Sequence, residues 1–476
     1  MDVIHLSAEC YPVAKVGGLG DVVGSLPKYL NLAGIQASVI LPYYDRKFVQ
    51  DNEFDEVFNS STTAAGKTFE YKILKEKTSK LGFDLFLIYI KGLLDRKEIY
   101  SYPDEIKQFI SFQISFLDWI NKSKKKPDII HCHDHHTGLI PFLISNSAGY
   151  KDLAMIPTVC TIHNGQYQGW LGWDKVAYLP SINLSNAGLL DWNNCINSLA
   201  ASVKCCWKFT TVSPNYLKEL SVNSNGLEML FEMEKKKGRG IINGIDTQVW
   251  NPEIDPMIIQ SYSIETVEKG KKVNKTALCA QFGVSPDLPL VVFIGRLVGE
   301  KGAELLPAAI KSCLKAFKGK VNFIVLGSGE RAIEKELEKL AEKQKKHYGV
   351  YIGYDEELSH RIYAGADFLM MPSRVEPCGL NQLYAVRYGT MPIVHKTGGL
   401  ADTVIDVNDA GGYGITIGQL DVQELVNAVE RALDIYEDGS RMTSLRRKMM
   451  SLDFSWDKSA KEYIELYKSL TTPHAV

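Results

Sequence analysis

MPSRVEPCGLNQLYAVRYGTMPIVHKTGGLADT, residues 371–403, is the stretch whose reading decides the fold. An apolar run closes at Met371, and SRVEPCGL turns the chain into a helix predicted to begin near Gly379. MPIVH then reads as another short strand, and KTGGLADT repeats the turn and the helix start. Strand, helix, strand, helix with glycine-bearing turns predicts parallel strands joined by crossovers. Pro377 sets the φ of the first turn, and Gly379 lets the backbone approach a ligand closely. Unpaired amides at each helix start favour an anion. Glu376, at the turn, supplies a carboxylate suited to sugar hydroxyls.

The same alternation extends outward in both directions. Upstream in the second half, LPLVVFIGRLV, VNFIVLGSG, VYIGYD and ADFLMMPSR read as buried strands ending in polar or glycine residues. In the first half, DVIHLSAE, ASVILPY, FDLFLIYI, PDIIHCHD, PTVCTIHN and FTTVSP read the same way. Amphipathic helical stretches such as GDVVGSLPKYLNLAG and DEIKQFISFQISFLDWINKS lie between them. IINGIDTQVWNPEIDP, rich in Asn, Gly, Asp and Pro, marks a connection near Ile245 to Asp255. The expectation is α/β throughout: two Rossmann-like domains, 1–245 and 256–455, facing each other across a cleft. Ligands in such sheets bind beyond the carboxyl ends of the strands.

Composition agrees and excludes other classes. The 476 residues suit two domains of about 200 each. A formal net charge of −2 argues against a nucleic-acid or membrane-surface role. The lysine clusters at 124–126, 235–237 and 343–346 read as solvated helix ends and loops. No apolar run is long enough to span a bilayer. MDVIHLSAECYP lacks the basic start and long apolar stretch of a signal peptide. Nine cysteines without a CxxC pair fit reduced thiols and a cytoplasmic chain.

Three further segments carry chemistry. AKVGGLGDVVGSLP (14–27) combines Gly17, Gly18 and Gly20 with Lys15 before a helix, suiting an anion or serving as a plain structural turn. Its spacing matches neither a dinucleotide fingerprint nor a P-loop. IGRLVGEKGAELL (294–306) sets Arg296 and Lys301 after a strand, where they suit a diphosphate; surface pairing with Glu300 and Glu304 is the plain alternative. HCHDHH (131–136) holds only metal-ligand residue types. Strand alternation sends His131 and His133 to one side and Cys132 and Asp134 to the other, so divergence is expected rather than convergence on an ion. His131 and His133 are expected to bond to neighbouring turns, and His135 or His136 to cap the next helix. No Asp-X-Asp occurs, so neither a metal nor another cofactor is expected.

Taken in order, KVGGLGDV, HCHDHHTGL, TIHN, TVSP, INGID, GRLVGEKG, YAGADFLMMPSRVEPCGLNQLYAVRYGT and TGGLADTV resemble the bacterial glycogen synthase and plant starch synthase family. The likeness runs from Glu9 to DFSW at 453–456. It implies the GT-B architecture, with a last helix (456–476) crossing back to the N-terminal domain. It also implies transfer of glucose, with retention, from ADP-glucose to the non-reducing 4-hydroxyl of an α-1,4-glucan such as glycogen or a maltooligosaccharide. By the resemblance, Lys15, Arg296 and Lys301 meet the diphosphate, and Glu376 holds the donor glucose. Gly18, Asn243, Cys378, Gly379, Leu380 and Thr397 fall in the donor region, with Tyr354 near the adenine. Asp134, His163 and Asn164 match the N-domain side of the catalytic centre, and Glu9 an acceptor-side carboxylate. The catalytic set is then His163, Asp134, Glu376, Arg296 and Lys301. Tyr384 stands where related retaining transferases carry a second Glu. Leu94, Glu105, Gln108, Ala200 and Ala201 depart from the family's usual residues, which bears on the acceptor side. A non-catalytic glucan-binding relative and an α-glucan phosphorylase are the alternatives; the latter needs a lysine-bound pyridoxal phosphate and a longer chain.

Overall fold

The computed structural model describes residues 1–64 and 66–471. The chain divides into two compact units: Met1–Gly244 with the segment from Trp456 onward, and Ile245–Ser455.

The first unit is built on a nine-stranded sheet. Its order is Gly238–Gly240, Lys208–Thr211, Thr158–Ile162, Ile129–His133, Asp2–Leu6, Gln36–Pro42, Asp84–Tyr89, Lys67–Glu76, Phe54–Ala64. The first seven run parallel. The last two are antiparallel, which corrects the expectation of a wholly parallel sheet. The reason is visible in FDEVFNSSTTA: an edge strand solvated along most of its length lacks the Val/Ile run by which buried strands are read. The two central strands Ile129–His133 and Thr158–Ile162 are buried at every position, as parallel strands covered on both faces must be.

Helix Gly18–Leu32 packs Val22, Leu26 and Tyr29 against Trp456, Tyr463, Leu466 and Tyr467 of the terminal helix Trp456–Thr471. Ser459 Oγ donates to the Ile242 carbonyl at 2.7 Å, and Arg239 pairs with Glu462 and Glu465. The terminal helix therefore fills a face of the first unit's core. Positions 472–476 of the expected helix lie outside the described residues.

The second unit has a six-stranded, all-parallel sheet. Its order is Tyr348–Ile352, Asn322–Gly327, Leu290–Ile294, Phe368–Met371, Met391–His395, Ile415–Ile417. The last, three residues long, was not among the sequence-derived strands. Behind the sheet, buried Asp367 accepts from Lys275 at 2.7 Å, Arg446 at 2.6 Å and the Leu290 amide at 2.8 Å. One carboxylate thus ties two helices to the sheet.

In each unit the strand order reverses beside the first strand, so crossovers leave in opposite directions and open a crevice. In the first unit this point lies between Asp2–Leu6 and Ile129–His133; in the second it lies between Leu290–Ile294 and Phe368–Met371. Asp367→Ala strands two buried cations, and a loss of about 3–5 kcal/mol is expected in urea unfolding. Tyr467→Phe removes one buried hydrogen bond to His131, with an expected cost of about 1 kcal/mol.

Candidate active site

In the first unit, the residues just past the two switch-point strands are Ser7 to Glu9 and Asp134. Asp134 has φ 55 and ψ −175, a region that side chains other than glycine rarely occupy. Its hold on that conformation is mutual with the next strand: its amide donates to the Thr161 carbonyl at 2.9 Å. Its Oδ1 accepts from the His163 amide at 2.7 Å. Desolvation pushes the Asp134 carboxyl up to about 7, against the opposing pull of the His163 and Asn164 amides. Asn164 uses Oδ1 to accept from the Gln166 amide at 3.0 Å.

Glu9 is buried and organises the glycine loop. Its Oε2 accepts from the amides of Val16 at 2.7 Å and Gly17 at 2.9 Å, and its Oε1 from the Tyr100 hydroxyl at 2.6 Å. A Cβ at Gly20 would come within 3.0 Å of the Lys15 side chain and 3.3 Å of Glu9 Oε2, which explains that glycine. At Gly17 and Gly18 an added Cβ meets nothing. Lys15 Nζ pairs with Asp21 Oδ1 at 2.6 Å. Asn243 is buried, and its Oδ1 has no partner among the described residues.

The histidines behave differently from the sequence expectation. His131 and His133 do share a side of their strand, stacked at 4.4 Å, but they converge with His5 of the neighbouring strand. Ligand atoms of His5, His131 and His133 all lie within 4.8 Å of one another. Sequence alternation within 131–136 could not reveal this, because His5 arrives only through strand pairing with His131. The rings bond to side chains rather than to turns. His131 bonds Tyr467 Oη and Thr161 Oγ1, each at 2.6 Å. His133 Nδ1 lies 3.0 Å from His163 Nε2, and its Nε2 lies 3.0 Å from His5 Nδ1. Neither His135 nor His136 caps the helix Ile140–Asn146: both sit in the short turn before it, and His136 stacks on Tyr100.

The second unit gathers its predicted residues around Glu376. Lys301 Nζ contacts both carboxylate oxygens at 2.7 and 2.6 Å, and Ser373 Oγ donates to Oε2 at 2.9 Å. His395 Nδ1 meets the Ser373 carbonyl at 2.7 Å. The two turns of 371–403 interlock: a Cβ at Gly398 would fall 2.0 Å from the Glu376 carbonyl, and one at Gly399 2.1 Å from that of Cys378. Only glycine allows this approach. Thr397, beside them, is buried.

One placement differs from the reading. The helix begins at Asn381, not near Gly379, because Gly379 turns left-handed (φ +76) and Leu380 serves as N-cap. Arg296 is exposed and pairs with Glu300 at 3.4 Å, which is the plain alternative stated for it. Glu304 pairs instead with Arg374. Tyr354 is 77% exposed. Tyr384 stacks on Trp250 at 3.8 Å, and Trp250's other face meets His360 at 3.8 Å. Leu94, Ala200 and Ala201 are core residues. Glu105 accepts from the Ser101 amide at 2.7 Å. Gln108 is fully buried, with neither amide atom partnered among the described residues. Sequence reasoning missed His5, Tyr100, Ser373 and His395; His5, Tyr100 and His395 join their sites through tertiary contact, whereas Ser373 stands three residues before Glu376, inside the turn already singled out.

Comparison with known proteins completes the picture. The starch synthase catalytic domain model matches residues 2–233, and the glycosyl transferases group 1 model matches residues 274–449. The glycogen synthase of Flavobacterium johnsoniae is 52% identical over 467 residues, covering 98% of each chain. The chain belongs to the glycogen and starch synthase family. As a member it is a glycosyltransferase of glycogen and starch synthesis with the GT-B fold. The glycogen synthase of Thermodesulfovibrio yellowstonii is 36% identical over 99% of this chain and 98% of its own. Among solved structures, the catalytic domain of starch synthase IV from Arabidopsis thaliana, bound to ADP and acarbose, is 35% identical. It superposes with a TM-score of 0.89 over 99% of both chains. No described helix of this family member is long and apolar enough to cross a membrane.

The raised Asp134 carboxyl makes a signed prediction. Below about pH 3 folded and unfolded carboxyls are both protonated. As pH rises towards 7 the unfolded group ionises first, so this group subtracts stability progressively. Asp134→Asn is therefore expected to equal the parent near pH 3 and to exceed it by up to about 4 kcal/mol at pH 8 in urea titrations.

Proposed function

We propose that this synthase transfers glucose from ADP-glucose to the non-reducing 4-hydroxyl of an α-1,4-glucan, retaining configuration, in the cytoplasm. The single observation that carries this reading is the Lys301–Glu376–Ser373 cluster at the second unit's switch point. There a cation and a carboxylate are held in contact, next to a turn closed by Gly398 and Gly399. A diphosphate leaving group needs the first and glucose hydroxyls need the second. The ADP bound to the Arabidopsis relative supports an adenine nucleotide as donor.

In this mechanism Lys301, Arg296 and Lys15 counter the charge that builds on the departing diphosphate. Glu376 accepts from donor hydroxyls, and the region of Gly18, Asn243, Cys378 to Leu380, Tyr354 and Thr397 frames the rest of the donor. Asp134, His163, Asn164 and Glu9 serve the sugar and acceptor side. A double displacement needs an ionised carboxylate nucleophile. Asp134, whose carboxyl burial pushes up to about 7 and which already accepts from the His163 amide, is poorly suited to that role. Front-face transfer, with the leaving phosphate oxygen taking the acceptor proton, fits these residues better.

Release of ADP from ADP-glucose and maltoheptaose, with NMR assignment of the new linkage, tests the reading. ADP-glucose should turn over faster than UDP-glucose. Lys301→Ala and Glu376→Gln should each lower kcat by about 10²–10³. Absence of ADP release, or a trapped glucosyl ester on Asp134 or Glu376, would overturn the mechanism.

A further inference from the structure

Three imidazoles run in series through the first unit: His163 Nε2 to His133 Nδ1 at 3.0 Å, then His133 Nε2 to His5 Nδ1 at 3.0 Å. The line ends at His5 Nε2, which is buried with no partner among the described residues. At its other end, His163 Nδ1 makes no hydrogen bond among the described residues and is not one of the buried, partnerless atoms. His133 is held in place by stacking on His131, and its amide donates to Thr137 Oγ1 at 2.8 Å. His131 stands outside the series, engaged by Tyr467 and Thr161.

Each contact in the line needs one N–H and one lone pair, and each neutral ring brings one N–H. Burial keeps the rings neutral, lowering His5 and His163 to about 3 and His133 well below its ordinary value. Only two arrangements then satisfy both contacts. In one, protons sit on every Nε2, so the line leaves a buried N–H orphaned on His5 and His163 offers a lone pair at Nδ1. In the other, protons sit on every Nδ1, so His5 leaves only an unused lone pair and His163 offers an N–H. An orphaned buried N–H is the rarer and costlier of the two.

We propose that His5 and His133 are positioning residues that lock His163 as the Nδ1–H tautomer, making its outward nitrogen a hydrogen-bond donor to a substrate oxygen. The locking itself is a property of the fold. Its use on a substrate oxygen rests on the glucosyl-transfer reading above. A ring able to accept there would tolerate a hydroxyl hydrogen pointing at it; a fixed donor selects an oxygen lone pair and pays no tautomer change on binding.

Long-range ¹H–¹⁵N correlation on full-length protein labelled in the histidine rings reads the tautomers directly, with His163 assigned from a His163→Gln sample. The expected result is Nδ1–H at His5, His133 and His163 together. In His5→Asn the amide nitrogen replaces the Nδ1 donor, so the His163 pattern and kcat should be kept within about threefold. In His5→Leu the line loses its terminal donor, so His163 should become a tautomer mixture, with kcat falling about tenfold and donor KM little changed. Nδ1–H at all three rings without any glucosyl transfer would sustain the lock and remove only its catalytic use. Nε2–H at His163 in the parent, which needs no variant to fold, would overturn the proposal. So would a His163 tautomer unmoved by a folded His5→Leu.

Discussion

The arrangement depends on one constraint: a parallel strand covered on both faces has nowhere to display polar chemistry except beyond its carboxyl end. Ile129–His133 and Thr158–Ile162 are buried throughout, so Asp134 and His163 emerge together only where the strands stop. The unusual backbone of Asp134 follows from that geometry. It leaves the sheet abruptly and is caught by the amide of a residue leaving the adjacent strand. The second unit solves the same problem with Glu376, caught by Lys301 and Ser373 just past its own switch point.

Backbone proximity does the remaining work in that second unit. The turns carrying Glu376 and Thr397 are so close that two carbonyls occupy the space of two missing side chains at Gly398 and Gly399. Gly302 shows the same economy, since a Cβ there would lie 2.0 Å from the Pro372 carbonyl. Three loops from three strands are thereby fixed against one another without relying on mobile side chains, which is what preorganised charge at a reacting centre requires.

Much of the fold was legible because buried parallel strands write short Val/Ile runs, and because the helix-turn glycines of 371–403 punctuate them. The hairpin Phe54–Ala64 and Lys67–Glu76 was not legible: its polar, half-solvated alternation belongs to an edge, not a core. At the site, Glu376 and Lys301 stood out by motif, yet their mutual salt bridge across 75 positions had no local mark. The histidines mark the limit most clearly. Alternation placed His131 and His133 on one face correctly, but the partner that turns them into a cluster, His5, lies 128 positions from His133. Gln108, fully buried and unpartnered among the described residues, has no account from sequence or packing.

The terminal helix sets the order of assembly during synthesis. The chain makes residues 1–244, then all of Ile245–Ser455, and only then the helix that covers Val22, Leu26 and Tyr29. While the ribosome is still making the second unit, the first carries an uncovered apolar strip that invites chaperones or misassociation. The second unit, by contrast, is released with its ends already joined, since Ile245 pairs with Ser455 and its amide donates to the Phe454 carbonyl at 2.9 Å. A nascent chain stalled after Ser455 would hold a finished insert inside an unfinished host.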